Sequence, residues 1–220
     1  MKVNRDIVVR GGLKLLNEVG LERLTLRLLA RELGIQAATL YWHFESKEEL
    51  IDEMATEVLA EGAKHLVPAS SSSGADWYAW AVAFGAGLRK TLLTYRDGAR
   101  MIVGTRLTDT RYMQTVERIA QKLIAGGFSL RQATILLSTI YDFTLSVVIE
   151  EQSVSPRPGE RGQQYDLAKR GAALAAEGLP LLSKAGAILF GNFERRHNEG
   201  LALILQGAKP GRRASPSRNR

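Results

Sequence analysis

The segment that most constrains the fold is Ser129–Glu151, SLRQATILLSTIYDFTLSVVIEE. Its apolar residues recur around nearly the whole helical circumference, not along one stripe. A helix of that kind is buried on all sides. One subunit of 220 residues offers little cover for it. Burial against a second copy of the chain answers the pattern. Its most apolar stretch, Ala133–Ile149, contains Asp142 and several Ser and Thr residues. That is too short and too polar for a bilayer span of about 20 apolar residues. The expected cover is therefore protein and not membrane.

The rest of the chain is of the same kind. No Val/Ile/Thr run with period-two alternation is bounded by turn residues, so no strand is expected. The first helix starts after Asn4, a good N-cap, and stops at Gly20. Gly11 and Gly12 lie inside it at a cost of about 1 kcal/mol each against alanine; close approach of another helix is one reason to keep them. Thr25 caps a second helix whose Leu26, Leu29, Ala30 and Leu33 form one face, and Gly34 ends it. A short third helix covers about Gln36 to His43. A fourth starts at Ser46, with Glu49 in capping-box position, and runs to about Leu66. The small-residue stretch VPASSSSGAD then marks an internal boundary. Further helices are expected near Asp76–Tyr95, Asp97–Val103, Thr108–Ala125, Ser129–Glu151, Gln164–Glu177, Pro180–Phe190 and Arg195–Gln206, with Ser153–Gln164 as a mobile loop.

Composition excludes several function classes. There is no cysteine, hence no disulfide, thiolate zinc site or cysteine nucleophile, and the chain suits a reducing cytosol. No apolar leader segment opens the chain. HExxH, GxSxG, a Walker loop and GxGxxG are all missing, and the three histidines are scattered, so no catalytic or metal-ligating cluster is expected. The net charge of +7 points to a polyanion, but the last residues, KPGRRASPSRNR, supply five positive charges of that excess. Such a Pro/Gly/Ser-rich tail reads as disordered. It can add non-specific attraction to phosphates or serve only as a solvated terminus.

The sharper signal is TLYWHFESKEEL, Thr39–Leu50. Successive helical positions point about 100° apart, so four adjacent rings cannot share one interior. Leu40 and Phe44, four apart, can face a core together. Tyr41, Trp42 and His43 then turn partly outward, and their phenol, indole N–H and imidazole suit phosphate contacts. Ala37 and Ala38 are small enough for close backbone approach, and Thr39 can bond a base or phosphate and offer its methyl to thymine. Lys47 adds charge beside a helix N-terminus, which itself favours an anion. Two helices separated by the tight Gly34-Ile35 turn form the pattern of a helix-turn-helix, whose second helix enters the major groove.

The stretch LTLRLLARELGIQAATLYWHFESKEELID resembles the DNA-binding domain of the tetracycline repressor family. YRDGAR, GTR, GGFSLRQA and FTLSVVIEEQ resemble the C-terminal domain of the tetracycline repressor itself. The likeness covers about residues 3–152, and is weaker around Leu179–Leu182 and in the last helix. It implies a base-reading role for Arg27 and DNA-facing positions for Gln36, Ala37, Thr39, Tyr41, Trp42, His43 and Lys47. Ala37 departs from the family's glutamine, which implies a different operator. Arg27 could alternatively serve a surface ion pair. The resemblance also implies a dimer, in which Ser129–Glu151 and the last helix form a four-helix bundle between subunits.

It further implies a pocket for a small effector. Phe84, Leu88, Ile102, Thr105, Arg106, Thr115, Ile119 and Glu150 fall on its ligand-binding positions. Ile102 stands where the tetracycline repressor has its magnesium-ligating histidine. Phe84 and Ile119 replace drug-contacting amides, and Ala63 replaces a histidine, although His65 is near. Isoleucine cannot ligate a hard cation, so an apolar effector without metal or other cofactor is expected. Phe84, Leu88, Ile102 and Ile119 also read as ordinary core. Asp142, isolated among apolar residues, needs a partner: an arginine across the dimer or a ligand. Residues 1–66 thus read as an all-α DNA-binding domain, 67–207 as a larger helical domain for ligand binding and dimerisation, and 208–220 as a basic tail. The function expected is a cytoplasmic, dimeric, ligand-responsive repressor on a palindromic duplex operator. An effector-independent regulator or an activator is the alternative, and an enzyme is not expected.

Overall fold

The computed structural model describes residues 4–68, 76–156, 160–162 and 165–211. Most of the expected linker, part of the expected loop and most of the tail lie outside them. Among the described residues every regular element is helical. The head consists of α1 (Arg5–Val19), α2 (Leu26–Glu32), α3 (Ala37–Tyr41) and α4 (Lys47–Gly62), followed by a 3-10 turn at Ala63–His65. The body holds α5 (Trp77–Leu92), α6 (Gly98–Ile102), α7 (Arg111–Ala125), α8 (Leu130–Val154), α9 (Leu167–Ala176), α10 (Pro180–Gly191) and α11 (Phe193–Gly207).

Local chemistry sets the helix starts. The side chains of Asn4, Thr25 and Ser46 accept from the amides of Ile7, Leu28 and Glu49 at 2.9, 3.1 and 3.1 Å, satisfying N–H groups that a helix start leaves orphaned. The Ser46 cap is not the reciprocal box expected. Glu49 reaches one residue further back, to the Glu45 amide at 2.7 Å, and also pairs with Arg5 at 2.9 Å. A complete capping box instead opens α8, between Ser129 and Gln132.

The two glycines inside α1 allow the close approach anticipated for them. A Cβ on Gly11 would lie 2.8 Å from a Leu33 methyl, and one on Gly12 would lie 2.9 Å from the Met54 sulfur. The head therefore closes tightly over Val8, Leu13, Leu16, Leu29, Leu40, Phe44 and Met54, all buried.

The head is fastened to the body by polar contacts. Arg96 donates from its amide to Asn17 Oδ1 at 2.8 Å and from its guanidinium to the Glu18 carbonyl at 3.2 Å. Asp97, in the left-handed region at φ 54, accepts from the Leu21 amide at 2.9 Å. Along α4, Asp52 accepts from the Arg106 amide at 2.9 Å and Glu57 pairs with Arg111 at 2.7 Å.

Helix α8 crosses the body against α5, α7 and α11. It runs three residues beyond the expected end and, by length and composition, is long and apolar enough to cross a membrane. It is the body's core helix, burying Ala133, Leu136, Leu137, Ile140, Thr144, Val147 and Val148. Burial is one-sided, however. Leu130, Ile135, Ser138, Thr139, Asp142 and Ser146 are exposed. The apolar circumference read from the sequence is not covered within one chain. Helices α9 and α10 pack chiefly on each other, and α10 exposes Leu181, Leu182 and Ile188.

Candidate functional site

The turn between α2 and α3 works because Gly34 has φ 66, a conformation costly for residues with a Cβ. Helix α3 is then held by Leu40 and the following Phe44, both 0% exposed. Tyr41 is half exposed, and Trp42, the last-turn cap, is 88% exposed. His43 is partly buried. Gln36 stands at the N-terminal boundary of α3, exposed and without a side-chain capping bond, Ala37 and Thr39 are partly buried in its first turn, and Arg27 is exposed on α2. Arg27 makes no ion pair among the described residues.

Two contacts there were not visible in the sequence. Arg5 stands 4.3 Å over the Phe44 ring, donates to the His43 carbonyl at 2.5 Å and pairs with both Glu49 and Glu53 at 2.9 Å. It locks the end of α3 to α1 and α4. Its guanidinium is held above its ordinary pKa by those two carboxylates, against the opposing effect of burial. Lys47 donates to the Leu21 carbonyl at 2.8 Å, tying α4 to the α1–α2 connection. A lone basic residue near a terminus carries no local pattern that would announce either role.

In the body, a cavity of about 600 Å³ lies between α4, α5, α6, α7 and α8. Phe84, Ile102 and Thr105 line it, with Leu59, Tyr112, Met113, Leu137 and Tyr141 among the other walls. Leu88, Thr115 and Ile119 are buried beside it and do not reach its surface. Arg106 is exposed outside it, its backbone on Asp52. Glu150 lies on the far side of α8, paired with Arg196 at 2.5 Å. Burial pushes the phenols of Tyr112 and Tyr141 up, the latter helped by Asp142. Both therefore stay uncharged at neutral pH, and with Thr105, Glu117, Thr134 and Ser138 they are the polar residues of a mainly apolar lining.

A divalent cation finds no donor set in these walls. Glu117 is the one carboxylate on the lining, and no group of three His, Asp or Glu side chains placed to hold a metal ion occurs among the described residues. Mg²⁺ requires near-octahedral oxygen ligation, which Ile102 and Phe84 cannot supply.

A helix-turn-helix that exposes Tyr41 and Trp42, joined by α4 to a cavity in the body, is the architecture of a DNA-binding regulator. Residues 8–54 match the family of bacterial regulatory proteins of the tetR type, and residues 70–210 match the tetracyclin repressor-like C-terminal domain. The chain is 37% identical over 206 residues to the class A tetracycline repressor from transposon 1721 of Escherichia coli, covering 94% of this chain and 90% of that one. A crystal structure of a possible TetR family transcriptional regulator from Streptomyces coelicolor A3(2) superposes with a TM-score of 0.80 at 32% identity, covering 93% and 98% of the two chains. The class A repressor in complex with 5a,6-anhydrotetracycline and magnesium superposes at 0.66 and 32% identity, covering 94% and 98%. The chain belongs to the tetracycline repressor family of transcriptional regulators. It is a DNA-binding transcription factor and not an enzyme.

Proposed function

We propose that this protein is a cytoplasmic, dimeric repressor that binds a palindromic operator and leaves it when a small apolar effector fills the body cavity. The observation that carries the reading is the course of α4. At its N-terminus, Ser46 and Lys47 follow directly on the recognition segment, and further along Leu59 forms part of the cavity wall. The separation is twelve residues, about 18 Å of helix. An effector that moves Leu59 pushes on a lever whose other end sets the angle of the head.

The DNA side rests on Arg27, Gln36, Ala37, Thr39, Tyr41, Trp42 and His43, with Arg27 as a bidentate reader of guanine and the rings on phosphates. Lys47 joins them by steadying the motif through Leu21. The effector side rests on Phe84, Ile102 and Thr105, backed by Leu88, Thr115 and Ile119. The exposed stripe of α8 and Leu203 of α11 supply the dimer face. A two-fold pair of recognition helices then meets successive major grooves about 34–36 Å apart. Asp142 lies on that face, where an arginine of the second copy would neutralise it. Release from DNA needs about 5.5 kcal/mol of differential effector affinity between the two head spacings.

The apolar, carboxylate-poor lining favours a metal-free effector over the magnesium–tetracycline chelate. Fluorescence anisotropy on DNA upstream of the gene, with and without magnesium–tetracycline, tests this. Tight, salt-sensitive binding that the chelate leaves unchanged is the expected result. Release by the chelate would overturn the metal-free reading.

A further inference from the structure

The hydrogen-bonding groups of the body cavity are unevenly spent. Three of its hydroxyls give their protons to nearby backbone: Thr105 to the Ile102 carbonyl at 2.8 Å, Thr134 to that of Leu130 at 2.9 Å and Ser138 to that of Ile135 at 3.0 Å. Glu117 accepts from the Gln121 side-chain amide at 3.0 Å. The phenols of Tyr112 and Tyr141 differ. No hydrogen bond acts on either among the described residues. The buried side-chain atoms left without a partner there are Trp80 Nε1, Arg89 Nε and Arg96 Nε, and neither phenol oxygen is among them. Each phenol is therefore a free donor with its oxygen still accessible, on a residue of the cavity wall. The two are close enough that the charge of one is felt at the other.

A donor left unmet in a mainly apolar space gains from an acceptor brought to it. A carbonyl oxygen has two lone pairs and can accept from both phenols. The Phe84 ring, with Leu59, Ile102 and Leu137, offers apolar cover for a flat ring system. About 600 Å³ is the size of a pocket for a drug-scale ligand. An anion is disfavoured: no lysine, arginine or histidine lines the space, Glu117 would repel it, and a buried unpaired charge is costly. Resting on the reading of this cavity as the effector site, we propose that it takes an uncharged aromatic ketone, whose carbonyl oxygen accepts from Tyr112 and Tyr141.

Equilibrium dialysis of the full-length protein tests this with three probes: fluorenone, fluorene (the same rings without the carbonyl) and fluorenone-4-carboxylate. Fluorenone is expected to bind roughly tenfold more tightly than either of the others. The double change Tyr112→Phe with Tyr141→Phe is expected to erase the advantage of fluorenone over fluorene, each single change removing part of it, while fluorene binding holds. These changes delete an unbonded hydroxyl and keep the ring, so the fold persists; thermal melts verify this. Three results would each overturn the ketone site and leave the effector role of the cavity standing: fluorenone and fluorene bound alike, a fluorenone advantage that survives the double change, or the carboxylate bound as tightly as the ketone. No uptake of any probe would overturn both. Selective fluorenone binding that leaves operator DNA bound in the anisotropy assay would uphold the ketone site and break the effector reading alone.

Discussion

Trp42 at the end of α3 is 88% exposed, and Leu203 on α11 is 69% exposed, yet the two exposures rest on different foundations. Around Trp42 the head is complete: Leu40 and Phe44 are sealed, and Arg5 bolts the segment to two neighbouring helices. The exposed ring is free because the fold does not need it. Around Leu203 the body is unfinished. Helix α8 alternates between a sealed face and a stripe with Leu130 and Ile135 in water. Exposed apolar groups beside a full core point to a ligand such as DNA. Exposed apolar groups continuous with a core helix point to missing protein.

The sharpest way to break this contrast is to exchange the roles of adjacent rings. Phe44→Ala removes a fully buried side chain and is expected to cost about 3–5 kcal/mol of stability by urea unfolding. Trp42→Ala should shift stability by no more than about 0.5 kcal/mol while weakening operator binding. Equal losses of stability from the two would mean that Trp42 is core after all. On the body side, Ile135→Glu is expected to leave helix content intact but to weaken dimerisation by roughly 100-fold, about 3 kcal/mol, since each interface would bury unpaired charge. Sedimentation equilibrium reads this directly. An unchanged dimer would remove the α8 stripe from the interface.

What the sequence could and could not announce follows from the range of each interaction. The head was legible because its signals are local: Asn4, Thr25 and Ser46 act three residues away, and Gly34 acts on its own backbone. The all-helical body was legible for the same reason. The resemblance puts Glu150 with the effector, but it pairs with Arg196, 46 residues on, and no spacing rule links them. Phe84 and Leu88 sit one turn apart on the same face of α5, and only packing from α7 and α8 decides that one reaches the cavity and the other stops short. The pattern of α8 asks for burial on all sides, because periodicity reports the surface a helix wants covered, not which chain covers it. Arg5 offered nothing local to read.

Arg27 sharpens the comparison on the DNA side. It is exposed and makes no ion pair among the described residues, so Arg27→Ala should leave folding unchanged. Operator affinity is expected to fall by about 1–3 kcal/mol, with relaxed preference at one base-pair position. Anisotropy with operator variants tests it. A uniform loss across all variants would make Arg27 a phosphate contact instead.

The smallest effect expected is a pH dependence confined to the body. His197 is 0% exposed at the α8–α11 seam, with its ring stacked on Phe143 and Nε2 3.0 Å from the Thr144 hydroxyl. Burial lowers its pKa, the hydrogen bond its ring donates to Asn198 Oδ1 acts the other way, and the charge of Arg89 lowers it again. The folded protein therefore holds this imidazole neutral at pH values where the unfolded chain, with an ordinary value near 6.5, takes up a proton. Above that pH the linkage is silent. As pH falls through it, the unfolded state binds more protons and stability drops, by at most about 1.4 kcal/mol per pH unit, until the folded pKa is reached. Urea midpoints at descending pH should fall in wild type and flatten in His197→Gln. His65, also lowered by burial but at the surface turn after α4, is removed in both proteins so that the difference belongs to the seam. Parallel curves would mean that the seam opens to let His197 ionise, and that the α8–α11 packing is looser than the sealed core of the head.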